Sequence, residues 1–197
     1  MEIVDVVTSH YTSFTSDATK TVQKENGKKV WFSEGSSPMK AEQLVRNREE
    51  NASGLSGLNG MLDIASRITQ AMTEGMTMYE FQPLISSYYS GATYFPKQLI
   101  TANEPWSGAY SLDAGYYMTL HFSRFIMPGW QFIENACYGD GKAGGDGHAI
   151  VDSTFNYITC KDPETGDYST VIVNNSDKTL GYDFVIKNTG KETSPVN

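Results

Sequence analysis

One stretch decides the fold: Lys28-Lys29-Val30-Trp31-Phe32-Ser33-Glu34-Gly35-Ser36-Ser37-Pro38. It starts polar, becomes β-branched and aromatic, and then delivers a glutamate into a loop of glycine, serine and proline. This pattern predicts a buried strand that ends beside Glu34. Because catalytic groups in a (β/α)8 barrel lie at the carboxyl ends of its strands, Glu34 is a candidate catalytic acid.

Upstream of this stretch, a strand and a helix are predicted in turn. Residues 3–7 form a mostly β-branched run that leads into His10 and Tyr11, and residues 17–24 have helix potential before Gly27. Two strands separated by a helix are typical of a parallel sheet.

Downstream of the stretch, apolar side chains recur at helical spacing from Met61 to Met72. Asn59 is a suitable N-cap for this helix and Gly75 a suitable stop. A third strand is expected over residues 77–82. The polar side of the helix is predicted to carry Arg67, Gln70 and Glu74.

The character of the sequence changes after Pro128. A helix is predicted over residues 112–126, whereas the later segments read as strands separated by turns rich in glycine and aspartate. We therefore expect strand–helix alternation over 1–128 and all-β structure over 129–197. The predicted later strands lie at 130–133, 148–159, 168–173 and 181–186.

The net charge of −8 argues against nucleic acid and against anionic membrane surfaces as partners. No run approaches the roughly 20 apolar residues that a membrane span needs. No signal peptide opens the chain, but a chain that begins inside a strand suggests a fragment, so localisation stays open.

Neither a cofactor nor a metal is expected. The two cysteines, Cys137 and Cys160, are too far apart in sequence for a metal or redox motif, and both a disulfide and two buried thiols are compatible with the sequence. The acids of 139–147 lack the spacing of an EF-hand loop, so a glycine-rich hairpin turn is favoured there.

Three segments together resemble the galactocerebrosidase (galactosylceramidase) family, which are retaining β-galactosidases of the clan A barrels. They are residues 6–11, which end in His-Tyr; residues 27–34, a basic and apolar run closing on Trp-x-Ser-Glu; and residues 101–110, which contain Glu-Pro-Trp-Ser-Gly. The resemblance extends to about Trp130 and continues more loosely through the β region.

The resemblance implies a fold and a reaction. The chain would hold about strands six to eight of a (β/α)8 barrel, followed by the start of an antiparallel β-sandwich. Glu34 would be the nucleophile, while the general acid, on the fourth strand of this clan, would lie upstream and outside the chain. The implied substrate is a β-galactoside or related glycolipid, and the parent enzyme would be secreted or lysosomal.

Other residues are candidates for the sugar pocket. Two positions depart from the family pattern, since Gly35 replaces an acidic residue and Gln82 stands where a tryptophan is expected. Gln82 could hydrogen-bond a sugar hydroxyl, and Trp106 could pack on the face of the ring. The predicted substrate-binding residues are His10, Tyr11, Ser37, Gln82, Tyr94 and Trp106.

Alternatives stay open beside this hypothesis. Glu80 and Glu104 could be proposed as the missing acid, but structural roles are favoured for both. The chain could instead be a carbohydrate-binding module that works through 129–197, or an inactive truncated protein. Three barrel strands would also leave open edges through which the chain could associate.

Overall fold

The computed structural model describes residues 3–10, 15–35, 58–87, 98–102, 104–139, 155–176 and 178–185. These residues form a mixed α/β arrangement with three sheets and three α-helices among them. The predicted mixture of α/β and all-β structure is therefore present in the described parts of the chain.

A parallel sheet occupies the first part of the chain. Its strands are β1 (Val6–His10), β2 (Lys29–Gly35) and β3 (Met78–Phe81), and they lie in sequence order with β2 in the middle. The predicted strand–helix alternation is correct here, and β2 extends far enough to include Glu34.

Helix α1 (Asp17–Asn26) connects β1 to β2, and its ends are set by local sequence. The Ser16 hydroxyl accepts a hydrogen bond from the Thr19 backbone N–H, and Gly27 closes the helix with a positive φ of 62°. Lys20 reaches Glu74 across 2.8 Å, and the hydrogen bond to that carboxylate raises the pKa of Lys20.

Helix α2 (Leu58–Thr73) connects β2 to β3 and packs between two sheets. Ile64 and Ile68 belong to a cluster with the later antiparallel sheet, while Ala71 packs with Val30 and Phe32 of β2. The helix is therefore covered on both sides.

Two predictions for α2 are corrected. Arg67 and Gln70 belong to the predicted polar side of the helix, but both are buried, since Arg67 lies beside Tyr79 of β3 and Gln70 beside Gly139 of the antiparallel sheet. The helix also begins at Leu58, so Asn59 lies inside it and is not the N-cap. Gly75 follows the helix with a φ of 96°, as a stop signal predicts.

An antiparallel sheet forms the second part. Strand β9 (Phe155–Lys161) is central, and it pairs with β7 (Gln131–Phe132), β8 (Tyr138–Gly139) and β10 (Tyr168–Asn174). Alternate residues of β9 are buried, and Ile158 and Cys160 are among those that face inward.

A small third sheet and helix α3 (Ala114–Ser123) complete the described fold. That sheet contains β4 (Ile85–Ser86), β5 (Ile100–Thr101) and β6 (Ser111–Leu112). Helix α3 lies inside the predicted range of 112–126, and α2 and α3 share one apolar cluster that includes Ile64 and Met118.

The predicted strand at 181–186 is wrong over its described part. Residues 181–185 have no regular secondary structure, and Phe184 and Val185 are exposed. Alternating apolar residues make a strand only when their backbone pairs with a neighbour, and this run pairs with none of the described strands. Residues 148–154 and 186 lie outside the described residues.

Cys137 and Cys160 are both free thiols. Burial raises the pKa of Cys160 to about 12, with a smaller contribution from the nearby Cys137. In the portions of the chain that the structure describes, no helix has the length and apolarity needed to cross a bilayer.

Candidate active site

The carboxyl ends of the three parallel strands meet at one edge of their sheet. His10 is the last residue of β1, Glu34 is the second-to-last of β2, and Gln82 directly follows β3. The backbone N–H of Gln82 donates to the carbonyl of Gly35 at 2.8 Å, which places it beside the glutamate. Three of the predicted site residues are thus brought together.

Strand β2 contains one extra residue just before Glu34. Opposite β1, Ser9 pairs with Phe32 and the next residue, His10, pairs with Glu34. The single extra residue is therefore Ser33, and this irregularity is a β-bulge. The Ser33 hydroxyl donates to the carbonyl of Ser9 at 3.3 Å and ties the bulge to β1.

The pairing of β2 with β3 also shows one extra residue in β2. Phe32 pairs with Tyr79 and Gly35 pairs with Phe81, so three steps along β2 match two steps along β3. Tyr79 and Phe81, two residues apart, share a face of the sheet, and so do their partners Phe32 and Gly35.

The bulge decides which way the glutamate points. Val30 and Phe32 face α2, and without the bulge Glu34 would share their face because side chains alternate along a strand. With the extra residue, Gly35 faces α2 and Glu34 points to the opposite face. Because Glu80 alternates with Tyr79 and Phe81, it lies on that same face.

On this face, Glu34 lies against His10. The imidazole Nδ1 is 3.5 Å from the carboxylate Oε2, and the side chains are 57% and 32% exposed, respectively. When protonated, the imidazole forms an ion pair with the carboxylate. A half-buried carboxylate beside an imidazole, open to a ligand, is suited to attack on an electrophilic carbon.

Behind the glutamate, on the α2 face, lies Tyr79. Its ring stacks on Phe32, with centroids 4.7 Å apart and planes 9° apart. Burial raises the pKa of its hydroxyl, and the guanidinium of Arg67 opposes this effect. The phenol is therefore neutral. Nothing in the sequence pattern indicates that Tyr79 borders the site.

The other four predicted site residues do not belong to these strand ends or lie outside the described residues. Trp106 lies on a short 3-10 helix, Pro105–Ser107, and its side chain is 74% exposed. Tyr11, Ser37 and Tyr94 lie outside the described residues. Their roles stay predictions.

A metal centre finds no support in the described ranges, where no group of three or more His, Cys, Asp or Glu side chains is arranged to hold an ion. The glycine-rich run from 140 to 147 falls outside those ranges.

A solved structure has a similar fold. The chain resembles an endo-beta1,6-glucanase with a TM-score of 0.58 and 15% sequence identity, over 93% of this chain and 36% of that one. At this identity the likeness concerns the fold alone, and it covers both the parallel and the antiparallel parts.

The family comparison then defines the class of protein, which is that of the glycosidases. Residues 1–124 match the model of glycosyl hydrolase family 59. The match covers more than half of the 197 residues, so the chain belongs to that family. The resemblance predicted from three short segments is confirmed.

Curated relatives carry the name galactocerebrosidase. The Homo sapiens protein is 30% identical over 157 residues, 79% of this chain and 20% of its own length. The Salmo salar protein is 29% identical over 174 residues, 87% of this chain and 23% of its own length. The chain therefore spans about a fifth of the length of these relatives.

Proposed function

We propose that the chain is the nucleophile-bearing part of a retaining β-galactosidase of the galactosylceramidase type. In this proposal, residues 1–128 are part of a (β/α)8 barrel and β1, β2 and β3 are its sixth, seventh and eighth strands. Residues 129–197 are part of a β-sandwich.

The single observation that carries the proposal is the contact between His10 and Glu34 at the strand ends. A nucleophilic carboxylate must be ionised and held by donors, and an imidazole on the adjacent strand meets this requirement. The glutamate attacks the anomeric carbon and forms a covalent glycosyl ester, which water later hydrolyses.

The sugar contacts belong to the same proposal. The amide of Gln82 is assigned to a sugar hydroxyl, and the exposed ring of Trp106 to the C–H face of the sugar. Tyr11, Ser37 and Tyr94 are assigned to the same pocket on the family resemblance alone.

The second carboxyl group is proposed to lie outside this chain. Retaining hydrolysis needs an acid/base about 5–5.5 Å from the nucleophile, and the family resemblance puts it on the fourth strand. Without the acid, the leaving oxygen must depart unprotonated. The chain should therefore react only with substrates whose leaving group needs no proton.

Covalent labelling tests this proposal. A dinitrophenyl β-galactoside with fluorine at the second carbon has a leaving group that departs without an acid, and it forms a slowly hydrolysed ester. We expect one label per chain, located by peptide mass spectrometry on Glu34. No label is expected for Glu34→Gln, whereas Glu80→Gln, the same change on the same face, should label like the wild type.

Two outcomes would count against the proposal. A label on another carboxylate, or none after exhaustive incubation, overturns the assignment of Glu34. Turnover of an unactivated phenyl β-galactoside that disappears in Glu34→Gln would mean that the chain holds its own acid.

A second candidate function is carbohydrate binding by the antiparallel sheet. Tyr138, Phe155, Tyr157 and Tyr182 form an aromatic patch on it, with neighbouring ring centroids 5.1 to 6.0 Å apart. Tyr138 and Tyr182 are both exposed, at 45% and 38%. Exposed aromatic rings pack on the C–H faces of sugars, so the patch favours a binding function.

A further inference from the structure

Gly35, the residue directly after Glu34, is buried and has no room for a side chain. A Cβ at this position would overlap Oη and Cζ of Tyr79 and would lie 2.7 Å from its Cε1. A Cβ that meets another side chain this closely forces a shift, and here the obstacle is a ring held in the core. The phenol therefore occupies the place of the missing side chain.

The same ring also contacts the other side of the bulge. Tyr79 stacks on Phe32, which precedes the extra residue, and its far end fills the space at Gly35, which follows it. One rigid side chain thus spans the irregular part of β2 from Phe32 to Gly35. Glu34 is inside this span and points away from the ring.

The ring has little freedom to move. It lies between β2 and α2, where Ala71 and Met76 are fully buried and Arg67 is 2% exposed. The Arg67 guanidinium is close enough to act on the hydroxyl of Tyr79, so the far end of the ring has a polar neighbour on α2.

We propose that Tyr79 is a positioning residue for Glu34: its ring, seated on Gly35 and Phe32, holds the bulge in the one conformation that presents the carboxylate to His10. The proposal rests on the proposed function, because it gives Tyr79 a role only if Glu34 is the nucleophile. It also explains the glycine after the nucleophile, since any larger residue would displace the ring.

The contact between His10 and Glu34 supplies a readout that does not depend on activity. The chain has three histidines, so the imidazole NMR signals of His10 can be assigned with His10→Asn. In the wild type, Glu34→Gln should shift these signals because the carboxylate lies 3.5 Å away. The size of that shift measures how well Glu34 is held beside the imidazole.

The test is the same Glu34→Gln shift measured in variants of Tyr79. Tyr79→Leu removes the part of the ring over Gly35, and we expect the shift to fall to less than half. Tyr79→Phe keeps the ring and should keep the shift, which a role of the hydroxyl alone would not allow. A full shift in folded Tyr79→Leu overturns the proposal.

A second variant covers the case in which Tyr79→Leu does not fold. Gly35→Ala displaces the ring by the added Cβ, so it should also reduce the shift, and adding Tyr79→Leu to it removes the overlap and should recover stability. An unchanged shift in Gly35→Ala overturns the proposal as well.

Covalent labelling separates this inference from the proposed function. If Tyr79 positions the nucleophile, Tyr79→Leu should slow the labelling of Glu34 at least tenfold, and Tyr79→Phe should label near the wild-type rate. If Glu34 is never labelled in any variant while the NMR shifts behave as expected, the proposed function fails but Tyr79 still orients Glu34.

Discussion

The Nδ1 atom of His10 lies 3.5 Å from Oε2 of Glu34, and the two residues are register partners on adjacent parallel strands. They are partners because Ser33 is left out of the regular pairing between β1 and β2. If β2 paired regularly, with Ser33 opposite His10, Glu34 would face α2. The contact therefore depends on the bulge at Ser33.

Deleting Ser33 should keep Glu34 facing His10. The glutamate would then directly follow Phe32, and adjacent side chains of a strand point to opposite faces of the sheet. We therefore expect the free energy of unfolding to fall by only about 0.5–1.5 kcal/mol, for the lost hydrogen bond to Ser9, whereas burying an unpaired carboxylate against Ala71 and Met76 would cost about 3 kcal/mol or more. Urea denaturation followed by circular dichroism measures this change.

The matched control for the deletion is Ser33→Ala. It keeps the extra residue and removes only the 3.3 Å hydrogen bond to Ser9, which should cost about 0.5–1.5 kcal/mol. The two variants should therefore lose similar stability, and a deletion that costs about 3 kcal/mol more than Ser33→Ala would mean that Glu34 turns toward α2.

Replacing His10 should slow the reaction of Glu34. His10→Ala removes the imidazole that lies against the carboxylate, and we expect the labelling rate to fall about tenfold, equivalent to about 1.4 kcal/mol in the barrier. His121→Ala is the control, since His121 lies on the exposed side of α3. Equal labelling rates for the wild type and His10→Ala would show that His10 has no part in the reaction of Glu34.

Alkaline pH should destabilise the fold through Cys160. Burial raises its pKa from 9.0 to about 12 in the folded chain, so between these values the unfolded chain loses a proton that the folded chain keeps. The stabilisation that Cys160 contributes to the folded state is therefore complete below pH 9 and is lost as pH rises toward 12. The free energy of unfolding should fall there by up to about 1.4 kcal/mol per pH unit.

Reduced protein in urea titrations at several alkaline pH values tests this dependence. Cys160→Val removes the titrating group and should make the decline in the free energy of unfolding less steep. Some decline should remain, because burial also raises the pKa of Cys137 and Tyr79. Identical slopes for the wild type and Cys160→Val would refute the role of Cys160.

The aromatic patch predicts a measurable affinity for a polysaccharide. If the antiparallel sheet binds sugar, native electrophoresis in a gel containing galactan should retard the wild type. Tyr182→Ala should weaken the apparent affinity about tenfold, or about 1.4 kcal/mol. Tyr117→Ala, which changes an exposed tyrosine on α3, should migrate like the wild type. Equal retardation of both variants would exclude binding by the patch.

Local signals predicted several elements of this fold well. The run from Lys28 to Glu34 is a strand, Gly27 ends α1, and the apolar spacing from Met61 to Met72 lies within α2. These features depend on neighbouring residues, because backbone propensity, capping and periodicity act over a few positions.

Other features were mispredicted because they depend on distant parts of the chain. Arg67 and Gln70 are polar, yet both are buried, since Arg67 lies beside Tyr79 of the parallel sheet and Gln70 beside Gly139 of the antiparallel sheet. Residues 181–185 have a strand-like pattern but no described neighbour to pair with. Polarity and alternation do not reveal which surface the rest of the chain will cover.

The sequence by itself determined that Glu34 would lie at a strand end, that His10 and Gln82 would end the adjacent strands, and that the chain belongs with the galactocerebrosidase family. Only the tertiary structure decided which way Glu34 points. That direction depends on the register of β2 against its two neighbouring strands, and on the Tyr79 ring filling the space over Gly35. A bulge is a property of the pairing between strands, so a single strand's sequence does not contain it.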